Sequence, residues 1–258
     1  MTSQTATLPH TPKPRPRWAL LAVVYGLAMF LLAQLTAGFL LVGMGVFLKN
    51  MSVSQASSWA QHSIAAQFGF VLVAELLTIL GVFVYVRYAQ RLHMRDIGLD
   101  KPHMRYLGWG LGGFAGYMLA YTLIAALIYN FVPSIDLEQK QQIGFEGAHT
   151  SSQLILVLLS LVVLAPLAEE ILFRGFLYTS LRAVLRARYA VIITSILFAV
   201  GHLQFGSGAP LLWVAAVDTF VLSFVLCVIR EKTGSIWAGV AVHMLKNFIA
   251  FAALFLAK

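Results

Sequence analysis

Two neighbouring carboxylates and an arginine lie in an apolar stretch of the sequence at residues 165–174. Glu169 and Glu170 are adjacent, and Arg174 follows Glu170 by four residues. In a helix, adjacent side chains project about 100° apart whereas residues four apart share a face, so Arg174 can pair with Glu170. Glu169 is then an unpaired ionisable group in an apolar segment, which is costly and marks a candidate site for proton transfer.

Pro166 precedes these carboxylates by about one helical turn. Proline has no backbone N–H to donate, so we expect a kink or a loosened turn just before Glu169. A buried ion pair that only fixes helix packing is the simpler interpretation of Glu170 and Arg174. That interpretation does not account for the second carboxylate.

Two histidines lie in apolar segments further along the chain. His202 ends the sequence Phe-Ala-Val-Gly-His, and His243 is followed one turn later by Asn247. A single histidine in an apolar helix is more often a packing residue than a ligand, but here two of them accompany the carboxylate pair. Counted from the nearest predicted cytoplasmic turns, Glu169 and His202 lie roughly 20 Å deep and His243 roughly 12 Å. Tilted helices could bring these groups to one cavity reached from the cytoplasm.

The composition is that of a membrane protein. Of the 258 residues, 60% are hydrophobic and 11% are charged, against about 25% charged residues in a typical soluble domain. The net charge of +8 would suit nucleic-acid binding, but no basic run is interleaved with aromatic residues, and basic cytoplasmic loops explain the charge better. The single cysteine, Cys227, excludes an intramolecular disulfide and a thiolate ligand cluster.

An all-α fold, a polytopic bundle of about seven (seven or eight) transmembrane helices, is predicted to position these residues. Residues 1–17 are predicted to be a disordered cytoplasmic tail, 18–152 to form helices 1–3 with their loops, and 153–258 to form the core of helices 4–7. A weakly amphipathic stretch at 51–65 is expected at the outer interface. Helix 3 is Gly-rich, which suits close helix packing. The seven predicted spans are 18–48, 66–86, 107–132, 154–184, 189–205, 211–229 and 236–256.

The distribution of Lys and Arg indicates the orientation of this bundle. With the N-terminus inside, 14 of the 18 basic residues fall on the cytoplasmic side, and Lys246 falls within a span. The other three, Lys49, Lys140 and Lys258, fall on the outer side. Leaving out Arg174, which lies within a predicted span, gives 13. Because cytoplasmic loops carry the excess of basic residues, the N-terminus is predicted to be cytoplasmic.

Three patterns together resemble the signature motifs of the CPBP family (CAAX-protease and bacteriocin-processing), and in particular its bacterial CAAX prenyl protease-like members. Each motif alone is weak, but three in order on three predicted helices are specific. The resemblance covers about 154–256, whereas the first 150 residues carry no comparable signature. The patterns are Glu169-Glu170 with Arg174, Phe198 with His202, and His243 with Asn247, together with the turn Lys232-Thr233-Gly234-Ser235.

The resemblance implies an intramembrane endopeptidase of glutamic or metallo type. Glu169 would be the base that activates water, with the help of His202, while Glu170 would be held by Arg174. A carboxylate in such a site can take a proton from water and later deliver it to the leaving amine.

The resemblance also implies roles for the third motif and leaves a metal open. His243 and Asn247 would stabilise the oxyanion or position the scissile carbonyl. In a metal version, Glu169, His202 and His243 would bind a divalent ion such as zinc, because a catalytic zinc needs three ligands and an open position. The sequence has no His-Glu-x-x-His helix. The family has been described both as metal-dependent and as glutamate-dependent, and both alternatives remain open.

Three further charged residues lie in predicted spans. Asp218 and Lys246 each lie about twelve residues from the short turn at 230–234, hence at a similar depth of roughly 18 Å. We expect these two residues to form an intramembrane ion pair, with Glu75 as an alternative partner. Lys246 is not part of the family pattern.

Two other functions are compatible with these residues. A proton-coupled transporter or channel also uses intramembrane Glu, Asp and His, but it favours groups spread through the membrane and an inverted repeat, which the sequence does not contain. A non-catalytic immunity or scaffold protein of the same fold would not need all three motifs.

The expected partners are a peptide or membrane-protein substrate and the lipid bilayer, without nucleic acid. A prenylated C-terminal peptide, a leader peptide and a bacteriocin precursor are all compatible substrates. The short loops indicate a multi-pass protein of a bacterial inner membrane.

Overall fold

The chain is helical in a computed structural model. The structure describes residues 16–132, 134–136, 139, 143–203 and 211–257, and for residues 16–18 it describes the backbone alone. Within these ranges the predicted all-α fold is confirmed, and no strand is present. A short 3-10 turn at Met94–Ile97 accompanies eight helices. The helices are α1 (Pro16–Lys49), α2 (Val53–His62), α3 (Ile64–Ala89), α4 (Arg105–Phe131), α5 (Ser151–Arg182), α6 (Ala187–Gly201), α7 (Trp213–Thr233) and α8 (Trp237–Leu256).

Six of these helices, α1, α3, α4, α5, α7 and α8, are long and apolar enough to cross a membrane. Many of their large apolar side chains face outward, including Leu20 (73% exposed), Phe39 (76%) and Phe47 (82%). Water-soluble proteins rarely expose contiguous apolar surface of this kind. The chain is therefore a multi-pass integral membrane protein, as its composition predicts.

Helix α6 is shorter than the fifth predicted span, 189–205. It ends at Gly201 after 15 residues, and residues 204–210 lie outside the described part of the chain. At about 1.5 Å per residue, α6 covers roughly 22 Å of a hydrocarbon core about 30 Å thick.

The N-terminal boundaries also differ from the predicted ones. The stretch 51–65 contains the separate helix α2, which begins with a capping box formed by Ser52 and Gln55. Helix α1 begins at Pro16, two residues inside the predicted tail. Residues 1–15 of that tail lie outside the described residues.

The long helix α5 is not α-helical throughout. Its backbone adopts π-helical geometry at Leu159–Leu164 and again at Glu170–Leu177. The first π-helical stretch lies just before Pro166, which cannot donate a backbone hydrogen bond. The predicted loosened turn before the carboxylates is thus confirmed, and such wide turns often occur at functional sites.

Helix α8 packs against α4, α5 and α7. The Gly-rich helix α4 approaches its neighbours closely, because a Cβ atom on Gly113 would overlap Ile229 of α7. A Cβ atom on Gly110 would lie 3.1 Å from the Cβ atom of Ala241 on α8. Close packing through small residues is confirmed at these two positions.

The N-terminal end of α8 is held by the loop that follows α3. The backbone N–H of Ile236 donates to the carbonyl of Gly98 at 3.0 Å, and the Trp237 indole donates to the carbonyl of Asp100 at 2.6 Å. Gly98 has a φ of +87°, a left-handed conformation that favours glycine. These bonds fix the rotation of α8 and hence the direction in which His243, two turns later, faces.

The C-terminal end of α5 is connected to α7 through Glu231. Arg182 donates to both oxygens of Glu231, with Nη2–Oε1 at 2.9 Å and Nε–Oε2 at 3.0 Å, and the Tyr178 hydroxyl donates to Oε2 at 2.5 Å. The Arg182 and Glu231 side chains are 36% and 34% exposed. This is an ion pair at the surface of the bundle, and such pairs contribute little to stability.

Candidate active site

Glu170 and Arg174 form a buried ion pair on α5. Arg174 Nη1 donates to Glu170 Oε1 at 2.8 Å, and neither side chain is exposed. The guanidinium also lies over the ring of Phe198 on α6, 4.4 Å from the ring centroid. The pairing predicted from the four-residue spacing is confirmed. Because both charges are buried away from water, removal of either partner would leave the other as an uncompensated buried charge.

The Glu170 carboxylate fits against α8 because residue 239 is a glycine. A Cβ atom on Gly239 would lie 2.8 Å from Glu170 Oε2, an oxygen that is buried without a hydrogen-bond partner among the described residues. Gly239 lies one turn before His243, on the same face of α8. Gly239 is not among the predicted site residues. Its four-residue spacing from His243 is the only feature of the sequence that could have indicated a place in the site.

His243 lies between the two carboxylates. Its Nδ1 is 3.1 Å from Glu170 Oε1, and its Nε2 is 3.6 Å from Glu169 Oε2. A carboxylate only accepts hydrogen bonds, so Nδ1 donates to Glu170 and the other ring nitrogen faces Glu169. The His243 side chain is 4% exposed and that of Glu169 is 19% exposed, so Glu169 is the less buried of the two carboxylates.

The sequence predicts that His202 lies inside a helix. In the structure it lies directly after the last residue of α6 instead. Its Nδ1 lies 2.8 Å from the carbonyl oxygen of Phe198 and therefore donates to it. The Phe198 ring contacts both imidazoles, with centroids 4.6 Å from His202 and 5.9 Å from His243. No direct hydrogen bond or ion pair joins His202 to Glu169, both of which lie in the part of the chain that the structure describes. The two are near the same aromatic ring rather than in contact.

Asn247 has a backbone partner. Its Nδ2 donates to the carbonyl of Leu161 on α5 at 2.8 Å. The sequence offered no reason to expect this bond, because the helices that form it are brought together only by the tertiary fold. The oxyanion role implied for Asn247 by the family resemblance stays a prediction.

Asp218 and Lys246 form the predicted ion pair. Lys246 Nζ lies 2.8 Å from Asp218 Oδ2, with side chains 23% and 19% exposed. The hydroxyl of Tyr117 on α4 donates to the other oxygen of Asp218. Lys246 lies on α8 between His243 and Asn247, so this ion pair adjoins the candidate site.

We expect Asp218→Asn to lower the free energy of unfolding by about 1–3 kcal/mol, between the values for exposed and buried pairs. The lysine is then left without its counter-ion. In a Lys246→Met background the same change should cost much less, which thermal unfolding of the single and double variants measures. Additive effects of the two changes would contradict the pairing.

Glu75 does not replace Asp218 as the partner of Lys246, the alternative left open by the sequence. It is 7% exposed on α3, which packs against the part of α5 that carries the carboxylates. A third carboxyl group therefore lies near the site, and the sequence gives no motif that would have placed it there.

The predicted zinc ligands do not form a ligand set in this arrangement. Among the described residues, no group of three or more His, Cys, Asp or Glu side chains is placed to hold a metal ion. Glu169 Oε2 and His243 Nε2 are 3.6 Å apart. Within the described residues, His202 makes no hydrogen bond or ion pair to either of them and donates from Nδ1 to the Phe198 carbonyl, which leaves its Nε2 available as a ligand. A catalytic zinc site needs three converging ligands and an open position. Metal dependence therefore stays a prediction for a chelator to test.

Fold and site together define a class of protein. It is a multi-pass helical membrane protein whose helices α5 and α8 bring together two glutamates, an arginine and a histidine. Glu169 is partly exposed and adjoins an imidazole, which suits proton transfer to and from a reacting group. Glu170 and Arg174 are fully buried, and Glu170 can hold the His243 imidazole in one orientation through its contact with Nδ1.

Comparison with known proteins places the C-terminal part of the chain in a family. Residues 151–249 match the family model described as type II CAAX prenyl endopeptidase Rce1-like. This segment is an Rce1-like domain, and it contains all six predicted site residues. The resemblance to CAAX-protease-like members of the CPBP family is thereby confirmed.

Two bacterial proteins are also similar to the chain. The "Uncharacterized 24.3 kDa protein" of Escherichia coli is 36% identical over 96 residues, 35% of this chain and 40% of that protein. "Uncharacterized protein YyaK" of Bacillus subtilis (strain 168) is 28% identical over 182 residues, 68% of this chain and 57% of that protein. The chain thus spans about half the length of these relatives. No solved structure matches it.

Proposed function

We propose that this protein is an intramembrane endopeptidase that hydrolyses a peptide bond of a membrane-associated peptide or protein. The observation that carries the proposal is the position of His243 between two carboxylates, one buried with Arg174 and the other partly exposed. The Rce1-like family model, whose description names a prenyl endopeptidase, covers all of these residues.

In the proposed reaction, Glu169 takes a proton from a water molecule while the oxygen of that water attacks the carbonyl carbon of the peptide. The C–N bond then breaks as the protonated Glu169 delivers this proton to the leaving amine. The water oxygen ends in the new carboxyl group, and Glu169 returns to its starting form. No other proton acceptor is needed.

Two histidines assist Glu169 in this proposal. The His202 imidazole is engaged at Nδ1 by the Phe198 carbonyl, which leaves Nε2 to hold the attacking water. His243 is oriented by Glu170 and stands next to Glu169, where its imidazolium form can donate from Nε2 to the oxyanion that forms during attack. The buried Arg174 holds Glu170 in place for this contact.

The substrate class and cellular location are further parts of the proposal. A leader peptide, a bacteriocin precursor, a prenylated C-terminal peptide or a membrane-protein partner could each be cleaved. Relatives in two bacteria support a place in a bacterial inner membrane. A proton-coupled transporter is less well supported, because a relay needs groups spread through the membrane whereas these groups lie together.

Cleavage of a quenched-peptide library by the detergent-purified protein tests this function. We expect turnover by the wild type and a loss of about 100-fold or more in His202→Ala, since a misplacement of the attacking water by about 1 Å can cost that much. The exposed residue His149 offers the matched control, and His149→Ala should cleave as the wild type does.

Each outcome of this assay has a meaning. Full turnover in His202→Ala would show that the site is wrongly assigned. A library that contains prenylated, leader and transmembrane peptides, yet is not cleaved by the wild type, would contradict the peptidase function. A chelator that abolishes turnover would establish metal dependence, whereas unchanged turnover would favour the glutamate chemistry.

A further inference from the structure

The hydrogen-bond pattern of α5 leaves one carbonyl without a backbone donor. The N–H of Ala165 donates to the carbonyl of Ser160, five residues earlier, as in a π-helix. The Leu161 carbonyl thereby loses its α-helical donor, and its π-helical donor would be residue 166, a proline without an N–H. A buried carbonyl left unpaired costs about 1–3 kcal/mol unless another group donates to it.

Asn247 of α8 supplies the missing donor to Leu161, with Nδ2 and the carbonyl oxygen 2.8 Å apart. Asn247 lies one turn beyond His243, which contacts Glu169 and Glu170. Helix α8 therefore binds α5 at two levels. One level is the carboxylate pair, and the other is the π-helical stretch just before it.

We propose that Asn247 is a positioning residue, whose amide replaces the N–H that Pro166 cannot supply and so holds Glu169 in place against His243. It acts through the Leu161 carbonyl and not through the substrate. This role differs from the oxyanion contact implied by the family resemblance. The kinetic part of the proposal rests on the proposed peptidase function, whereas the hydrogen-bond part does not.

The test is a cycle of four proteins: wild type, Asn247→Ala, Pro166→Ala and the double variant. In the wild-type background we expect Asn247→Ala to lower kcat about 100-fold with KM changed less than about threefold, because a shift of about 1 Å suffices for such a loss. In Pro166→Ala, residue 166 regains an N–H that can reach the Leu161 carbonyl. There the same change should lower kcat less than about tenfold.

Thermal unfolding of the same four proteins gives a reading that needs no turnover. We expect Asn247→Ala to lower Tm at least about twice as much in the wild-type background as in Pro166→Ala. Asn130 is the matched control, because its amide donates to Ala126 within its own helix at 2.7 Å. Asn130→Ala should change Tm equally in both backgrounds.

The outcomes separate this proposal from the proposed function. Equal losses of kcat in both backgrounds would overturn the positioning role and favour a direct contact of Asn247 with the oxyanion. Additive Tm shifts would also overturn it, whether or not any peptide is cleaved. A non-additive Tm shift in a protein without peptidase activity would support the Asn247 bond and overturn the proposed function alone.

Discussion

A Glu169→Gln variant should lose about 10²- to 10⁴-fold of kcat in peptide cleavage, the contribution of a positioned general base. Glutamine keeps the size and polarity of the side chain but cannot take the proton of the attacking water. Glu169 is the less buried carboxylate and adjoins His243 Nε2, so we expect no other group to replace it as the base. The measurement is kcat on a quenched peptide that the wild type cleaves.

Two further measurements make this result specific. The Tm of Glu169→Gln should be equal to that of the wild type or higher, because the change removes a charge from an apolar bundle. Glu146 is exposed, so Glu146→Gln is the same substitution outside the site and should leave kcat unchanged. A Glu169→Gln protein with wild-type kcat would mean that another group activates water.

The largest effect on stability is expected for Arg174→Met, which should lower the free energy of unfolding by about 3–5 kcal/mol. This change leaves the Glu170 carboxylate buried without its cation, since both side chains are fully buried. Unfolding in detergent by heat or denaturant measures the loss. The double variant with Glu170→Gln should recover most of it, because the uncompensated charge is then gone.

The same helix provides the control for this prediction. Arg182 pairs with Glu231 at 2.9 Å, about the same distance as in the buried pair, but both side chains are about one third exposed. Arg182→Met should therefore cost no more than about 1 kcal/mol. Equal costs for Arg174→Met and Arg182→Met would contradict the claim that burial makes the first pair critical.

Features that depend on neighbours along one helix could be predicted from the sequence. The four-residue spacing of Glu170 and Arg174 gives their pairing, because side chains at that spacing meet on any regular helix. The missing N–H of Pro166 gives the loosened turn of α5. Composition alone gives the membrane-spanning bundle. The pair of Asp218 and Lys246 joins two helices, and it could be predicted because a short turn connects these helices and places the two residues at equal depth.

Features that depend on how helices face one another could not be predicted in this way. The contact of His243 with both carboxylates requires the rotation of α8 against α5, which is set by bonds to the loop around Gly98. The need for a glycine at position 239 arises only once Glu170 lies against α8. Glu75 comes near Glu169 through the packing of α3, about which the spacing of residues in the sequence carries no information.

The position of His202 shows a different limit. Its apolar neighbours suit a longer helix, and the sequence predicts a span that continues past it. The helix instead ends at Gly201, and glycine is a poor helix former. His202 therefore uses its Nδ1 on the carbonyl of Phe198, one turn earlier, and not on a partner in another helix.

A bilayer around this protein has to adapt its thickness at α6. The helix covers roughly 22 Å of a core about 30 Å thick, and the mismatch of a short helix is relieved by local thinning of the lipid, by snorkelling of flanking residues or by oligomerisation. Because α6 ends directly before His202, the mismatch falls beside the residue proposed to hold water. Thinner lipid there shortens the path of water and of a polar peptide into the site. The acyl-chain length of the surrounding lipid should therefore control turnover.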